Sequence, residues 1–487
     1  MTGRLSDATL AGLPAGVTRP AYDRGRARIG VVHFGPGAFH RAHQAFYFDE
    51  MLARDPTLAV SAVSLRSDAV HAALGPQNGL FSLTERDAEP AIRVIGAIGE
   101  TLTAPAAPEA VFARLADPAV RFVSATVTEK GYCLTPSGDL DLDHPDVRAD
   151  LANEGAPSTL AGWLAEGLRR RHAAGGPGLT ALSCDNLSGN GARWRRATLQ
   201  FAEASGDAEL ARWIAGEVGF PDSMVDSITP ATDEALRAEA ARRLGVTDAW
   251  PIQRERFCQW VVGGDLGADS KTFAEAGVTL TGDVAAFERA KLRLLNGAHS
   301  TLAYVGLRMG YATVAEAMGD PALAAFVETL MRRDIAASLT PGAGLDIPAY
   351  IAQILARFRN PAIVHQLSQI AWDGSQKLPF RLLETIAEAL AAGRRIDRLV
   401  VGVAAWMLFV RERIRTGVAI VDPLADRLAG IALACDGDPA RDVDRFLALE
   451  SVFPSNLSAQ PRLREALRHA YGALDAQPDR AIRSVVD

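Results

Sequence analysis

Only four of the 51 basic residues in this chain are lysines: Lys130, Lys271, Lys291 and Lys377. A guanidinium stays charged at any working pH, whereas a partly buried amine can be tuned toward neutrality and then accept a proton. Lysine that persists against an arginine background therefore marks places where a titratable amine is needed. Lys291 opens the run Lys291-Leu-Arg-Leu-Leu-Asn296-Gly-Ala-His299. At about 100° per residue, positions 291, 296 and 299 of a helix stand at about 0°, 140° and 80°. One face can thus offer an amine, a carboxamide and an imidazole to one small ligand. The plainer reading is a surface lysine beside two satisfied polar side chains.

A second candidate is Gly35-Pro-Gly37, which follows the apolar run Arg28–His33 and precedes an amphipathic stretch, Ala42 to Leu52. A strand–glycine turn–helix passage is where a dinucleotide cradle belongs, because glycines let the backbone approach a pyrophosphate. The third glycine of the usual pattern is replaced by His40, and a simple tight turn is the competing reading. Phe34, Gly35, Gly37 and Phe39 are the cofactor-binding candidates of this turn. Asp68, after the apolar run Ala59–Leu65, is suited to accept ribose hydroxyls and select NAD, while Arg66 is suited to a 2′-phosphate; both can equally be solvated loop charges. His40 and His43 have a metal-compatible spacing but no third ligand, so no metal is expected. Asn186, at the end of the run Leu179–Ser183, can polarise a carbonyl oxygen or simply cap an Asx turn. Asp226 and Lys377 are ambiguous by themselves.

The elements that must position these residues follow from hydrophobic periodicity. The runs Arg28–His33, Ala59–Leu65, Val120–Val127 and Leu179–Ser183 read as strands, each ending in polar or glycine-rich residues. Strands alternating with helical stretches imply a doubly wound, mostly parallel sheet with ligands at the strands' carboxyl ends. From about residue 284 helical periodicity takes over, as in Val284–Leu307, Pro321–Ser338, Pro379–Ala392 and Ile396–Arg415. This predicts an α/β domain over residues 1–282 and a mainly α-helical domain over 283–487.

Composition excludes several classes. A chain of 487 residues with 48% hydrophobic and 22% charged content is that of a globular protein of two or three domains. A net charge of −7 offers no electrostatic footing on nucleic acid or anionic membranes. Four scattered cysteines without a CxxC pair fit a reducing cytoplasm, and the N-terminus lacks the apolar core of a signal peptide. The longest apolar stretch, Leu399–Val410, is too short to cross a bilayer and is expected to be a buried helix.

Together these motifs resemble the mannitol dehydrogenase and fructuronate reductase family, the polyol-specific long-chain dehydrogenases. The resemblance is carried by His33 through His43, Thr128-Glu-Lys-Gly-Tyr132, Ser183-Cys-Asp-Asn186, Met224-Val-Asp226, Lys291 through His299 and Asp373 through Pro379. It implies an expanded Rossmann domain, a helical domain, an active site between them, and NAD as cofactor. It further implies Lys291 as general acid/base, tuned by burial and by nearby Arg293, and Asn186 and Asn296 as carbonyl-polarising groups. His299 becomes a substrate hydroxyl partner. Asp226 and Lys377 line the polyol pocket, Glu288 aids proton passage, and Glu129 and Lys130 lie near the cofactor. The Glu-Lys-Gly-Tyr and Gln369–Pro379 segments resemble the fructuronate reductase side, whereas Ser64-Leu-Arg-Ser67 resembles the mannitol dehydrogenase side. The substrate pair expected first is therefore D-mannonate/D-fructuronate, with D-mannitol/D-fructose as the alternative. A carboxylate substrate would need a cation, for which Lys130, Lys377, Arg293 and Arg256 are candidates. The rival from another class is a catalytically idle dinucleotide sensor.

Overall fold

Five short runs pair in parallel: β1 (Ile29–Phe34), β2 (Ala59–Ser64), β3 (Ile98–Thr103), β4 (Phe122–Ala125) and β5 (Thr180–Ser183). Their order is β3-β2-β1-β4-β5. Successive side chains enter opposite faces, as the pleat requires. Val31, Phe122 and Leu182 join one hydrophobic cluster, and their neighbours Val32, Val123 and Ala181 join another. Both faces are covered, the usual condition of a parallel sheet and the reason the central runs are mostly apolar, whereas the edge strand Ile98–Thr103 is partly exposed. The strand order reverses at β1, so the carboxyl ends of β1 and β4 flank the switch point where such sheets hold ligands. This is the predicted Rossmann architecture.

The computed structural model describes residues 3–340 and 342–486. The chain divides into two compact units, Met1–Ala285 and Ala286–Asp487. The division falls within a helix, Val284–Ala290, where the change in periodicity suggests residue 282.

Several details of the first unit depart from the sequence reading. The helix expected over Ala42–Leu52 is two helices, α1 (Ala38–Ala42) and α2 (Gln44–Leu52), broken at His43 with φ −116° and ψ −84°. A tertiary contact accounts for the break. His43 Nε2 lies 2.8 Å from the Gln259 carbonyl, which can only accept, so the ring's Nδ1 is left to accept from Gln44 Nε2 at 3.0 Å. Two further sheets escaped the sequence reading. One pairs Val17–Thr18, Ala91–Ile95, Phe81–Arg86 and Ile252–Glu255; the other joins β6 (Ser223–Asp226), β7 (Gln259–Gly263) and β8 (Thr279–Thr281). Their partners lie far apart in sequence, as in the pairing of Ile252 with Leu83, so local periodicity does not reveal them.

The second unit is helical. Leu399–Arg415 is its central helix, with Leu399–Leu408 and Val410 buried, as the apolar run predicts. It packs against Ala298–Arg308 so closely that a Cβ on Gly402 would stand 2.4 Å from Thr301 Oγ1. Among the described residues no helix is long and apolar enough to cross a membrane. Among the described residues three segments are π-helical, namely Lys291–Gly297, Leu330–Ile335 and Pro379–Leu383, and the first packs against the other two.

Candidate active site

In the first unit the two turn glycines do different things. Gly35 has φ +82°, and a Cβ there would lie 2.3 Å from the Thr126 carbonyl oxygen, so only glycine fits. Gly37 is exposed, and no close contact crowds the space where a Cβ would stand. It leaves open backbone at the carboxyl end of β1, a fit for a pyrophosphate. Phe34 is fully buried in the core, so its ring cannot serve a cofactor; only its backbone reaches the turn, accepting from the Thr126 amide at 2.9 Å. Phe39 is half-buried and its ring stacks on His43 at 5.0 Å.

Beneath the turn the rings of His33 and His40 stack at 3.4 Å. His33 is bonded to Ser124 Oγ (2.8 Å) and Thr126 Oγ1 (3.0 Å), while neither ring nitrogen of buried His40 has a partner. Burial pushes His33 down to about 3 and holds His40 well below the usual histidine range. Both are neutral packing elements, and His43 is occupied by Gln259 and Gln44. Among the described residues no three His, Cys, Asp or Glu side chains are grouped to hold a metal.

At the end of β2, Arg66 and Asp68 are exposed, and Asp68 Oδ1 is tethered by the Thr103 hydroxyl at 2.6 Å. At the end of β4, Glu129–Tyr132 forms a tight 3-10 turn that exposes Glu129 and Lys130. Residues with positive φ flank this turn: Thr128 (φ 67°, ψ 162°) and Cys133 (φ 52°). For a β-branched residue such a conformation costs about 1–3 kcal/mol and persists only where surrounding contacts impose it. Those contacts come from Asp185, whose carboxylate accepts from the amides of Val127 (3.0 Å) and Thr128 (2.8 Å) and from the Tyr132 hydroxyl (2.9 Å). Burial raises the Asp185 carboxyl above its ordinary value, opposed by these three donors. Asn186 follows at once and is exposed, whereas Asp226 is buried at the end of β6 opposite Gln259.

In the second unit Lys291 and Asn296 stand on the π-helical segment, not on the α-helix from which their angular spacing was derived. Backbone bonds of the i→i+5 kind stack the sixth residue above the first, which brings positions 291 and 296 nearer than α-helical spacing allows. Both are half-buried. Gly297 is required by packing, since a Cβ there would lie 2.6 Å from the Arg381 carbonyl. His299 is 8% exposed; its Nε2 has no partner, and its ring stacks on Phe358 (5.1 Å) and meets His365 edge-on (4.6 Å). Burial, then the charges of His365, Arg381, Arg357 and Lys377, hold it far below the ordinary histidine value. Lys377 Nζ donates to the carbonyls of Trp372 (2.5 Å) and Ile370 (3.4 Å), and burial followed by Arg381 lowers its pKa. Glu288 is half-buried one turn before Lys291.

Two cations suggested for a substrate carboxylate are already engaged. Arg293 is buried and held by both Glu388 oxygens (2.6 Å each) and the Ser338 carbonyl (3.0 Å). That pairing balances its charge within the second unit. Arg256 is exposed and pairs with Asp87 at 3.4 Å.

The sequence profile of the mannitol dehydrogenase Rossmann domain matches residues 29–271, and that of the mannitol dehydrogenase C-terminal domain matches residues 283–475. The chain belongs to the mannitol dehydrogenase family. It is 38% identical to a mannitol 2-dehydrogenase of Aspergillus fumigatus over 461 residues, covering 92% of this chain and 91% of the relative. The structure of Pseudomonas fluorescens mannitol 2-dehydrogenase in ternary complex with NAD and D-mannitol is 37% identical, with a TM-score of 0.79 over 99% of both chains. A substrate-free D-sorbitol dehydrogenase is 33% identical, with a TM-score of 0.89 over 98% of this chain and 99% of the other. As a mannitol dehydrogenase-family protein, the chain is an oxidoreductase acting on CH–OH groups. Three residues near the candidate residues of their own unit are not singled out by the sequence. Thr128 and Asp185 lie inside quoted motifs, but backbone strain and a clasp across the sheet leave no local spacing to read. Arg381 stands four residues after Lys377, a helical spacing that was available.

Proposed function

We propose that this chain is an NAD-dependent polyol dehydrogenase interconverting D-mannitol and D-fructose. The observation that carries this reading is the intact Lys291, Asn296 and His299 run, the first two on a π-helical turn and His299 in the α-helix that follows it, in a chain of the mannitol dehydrogenase family. Mannitol takes the place of mannonate as first substrate because the similar proteins are named for polyols, and one of them holds NAD with D-mannitol.

The cofactor would be held by the Gly35 and Gly37 backbone, by Phe39, by Asp68 toward the ribose, and by Glu129 and Lys130. When bound, the nicotinamide supplies the hydride acceptor for oxidation and the donor for reduction. In oxidation Lys291, in its neutral form, takes the proton of the reacting hydroxyl; in reduction its ammonium returns it. Asn186 and Asn296 donate to the reacting oxygen as charge develops on it, which replaces a Lewis acid with oriented amides. Neutral His299 holds a neighbouring hydroxyl, Asp226 and Lys377 engage the rest of the polyol chain, and Glu288 assists proton passage. The reaction belongs in the cytoplasm, in keeping with four free cysteines.

A second reading, a sugar-acid substrate such as D-fructuronate, is favoured by Arg381. Among the described residues its guanidinium bonds only Ser300 Oγ (3.1 Å) and has no carboxylate partner, while its charge acts on both His299 and Lys377. NADH consumption with D-fructose and with D-fructuronate, each repeated with NADPH, separates the two. D-Fructose with NADH is expected to be the best pair. A strong preference for fructuronate would move the assignment to the sugar acid, and turnover of neither would overturn both.

A further inference from the structure

Thr128 is a β-branched residue with a glycine-like backbone, and it stands where the β4 loop meets the glycine turn. The loop touches that turn directly: Thr126 Oγ1 donates to the Gly35 carbonyl at 2.7 Å, and the Gly35 Cα–H faces the Thr126 carbonyl at the spacing that forbids a Cβ. Its other end folds back on itself, since a Cβ on Gly131 would stand 2.8 Å from the Val127 side chain. Nothing local favours φ 67° at Thr128. The groups that impose it come from the neighbouring strand, because both Asp185 oxygens are used, Oδ2 on the Val127 amide and Oδ1 on the Thr128 amide. Asp185 is itself anchored: its carbonyl accepts from Asn190 Nδ2 (3.1 Å), and the same amide group donates to the carbonyls of Ser183 (3.2 Å) and Ser223 (2.8 Å). The Tyr132 hydroxyl bridges Asp185 Oδ2 and Ser183 Oγ (2.6 Å) at the far end of the turn.

We infer that Asp185 is a positioning residue whose carboxylate clasps the strained Thr128 peptide and so presents the Glu129–Lys130 turn, beside Gly35, in the form that receives the dinucleotide. This rests on the cofactor site proposed above. An anionic carboxylate can accept from all three donors, whereas the asparagine carboxamide has one acceptor oxygen and would turn its NH2 toward an N–H or O–H. Strain released at Thr128 then lets the loop relax. Glycine at 128 would adopt the same backbone without strain, so it removes the need for the clasp.

The test is NADH titration by fluorescence on full-length Asp185→Asn, Thr128→Gly and the double variant, with amide exchange at 127 and 128. Asp185→Asn is expected to weaken NADH binding roughly tenfold, the loss typical of a charge-assisted hydrogen bond, and to speed exchange of both amides. The KM for ketose should stay within about twofold, a split that general destabilisation would not give. Thr128→Gly alone should bind NADH like wild type, and in the double variant it should recover most of the lost affinity. Unchanged NADH affinity in Asp185→Asn, or a double variant no better than the single one, overturns the inference. If Asp185→Asn does not fold, Thr128→Gly is expected to restore a folded, NADH-binding protein, and a double variant that stays unfolded overturns it equally. Failure of the wild-type protein to bind NADH would instead overturn the cofactor site itself.

Discussion

The two units position their candidate functional residues by opposite means. In the second unit Lys291, Asn296 and His299 come from nine consecutive residues, and a local change of helix type brings two of them together. In the first unit Gly35, Asp68, Glu129, Asn186 and Asp226 come from the ends of five different strands. Long-range bonds hold those ends: Thr103 to Asp68, Thr126 to Gly35, and Asp185 to the Thr128 amide. The second arrangement can be written into a short motif. The first exists only when the sheet is assembled.

That contrast can be broken or sharpened by substitution. The largest effect is expected at Gly35. Alanine there meets both a left-handed backbone and the Thr126 carbonyl, and should cost about 3 kcal/mol, or roughly 100-fold in NADH affinity. Gly37→Ala enters open space and should stay within a few-fold, so equal losses at the two glycines would contradict the division of labour between them.

In the second unit Glu388→Gln leaves the buried Arg293 guanidinium without its anion. Removing one partner of a fully buried pair costs about 3–5 kcal/mol. Because Glu388 is half-exposed, the expected loss is nearer ~2 kcal/mol, read as a lower midpoint in urea with NADH affinity unchanged. A loss of NADH affinity comparable to that of Gly35→Ala would contradict the separation of tasks.

The buried histidines give a smaller, graded effect. His33, His40 and His299 all have folded pKa values below the unfolded value near 6.5. Between the two values the unfolded chain binds more protons, so stability is whole above about pH 6.5 and declines as pH falls toward the folded values. Each such histidine contributes up to ~1.4 kcal/mol per pH unit in that window. Thermal midpoints should therefore drop from pH 7 to pH 5, and a flat profile would show that these rings are not buried neutral. Smallest of all, Asp68→Ala should lower the NAD-to-NADP preference by about 1 kcal/mol, the worth of one hydrogen bond. An unchanged ratio would remove Asp68 from the ribose site.

What was legible in the sequence follows the same divide. The β1, β2 and β5 runs, the helical second unit, and the buried helix Leu399–Arg415 all carry their period in consecutive residues, and each is found. The π-helical form of Lys291–Gly297 is not legible, because the apolar period of its residues reads as an ordinary α-helix and the tight contact of Gly297 with the Arg381 carbonyl is tertiary. The break at His43 has the same origin in the Gln259 carbonyl. The burial of the Phe34 side chain and the pairing of Arg293 with Glu388 are hidden from the sequence for a related reason. A residue's place in a motif does not tell whether its side chain points into the core or pairs with a distant acid. Asp185 shows the converse, a residue quoted with its motif but passed over because its partners lie across the sheet.

The most direct measurement is Lys291→Ala, assayed for NADH-dependent reduction of D-fructose and for NADH binding in the same preparation. Turnover is expected to fall by at least ~1,000-fold, as for loss of a general acid/base, with the NADH dissociation constant within about twofold of wild type. Substantial residual turnover, or loss of turnover and NADH binding together, would contradict the assignment of the proton-transfer step to this amine.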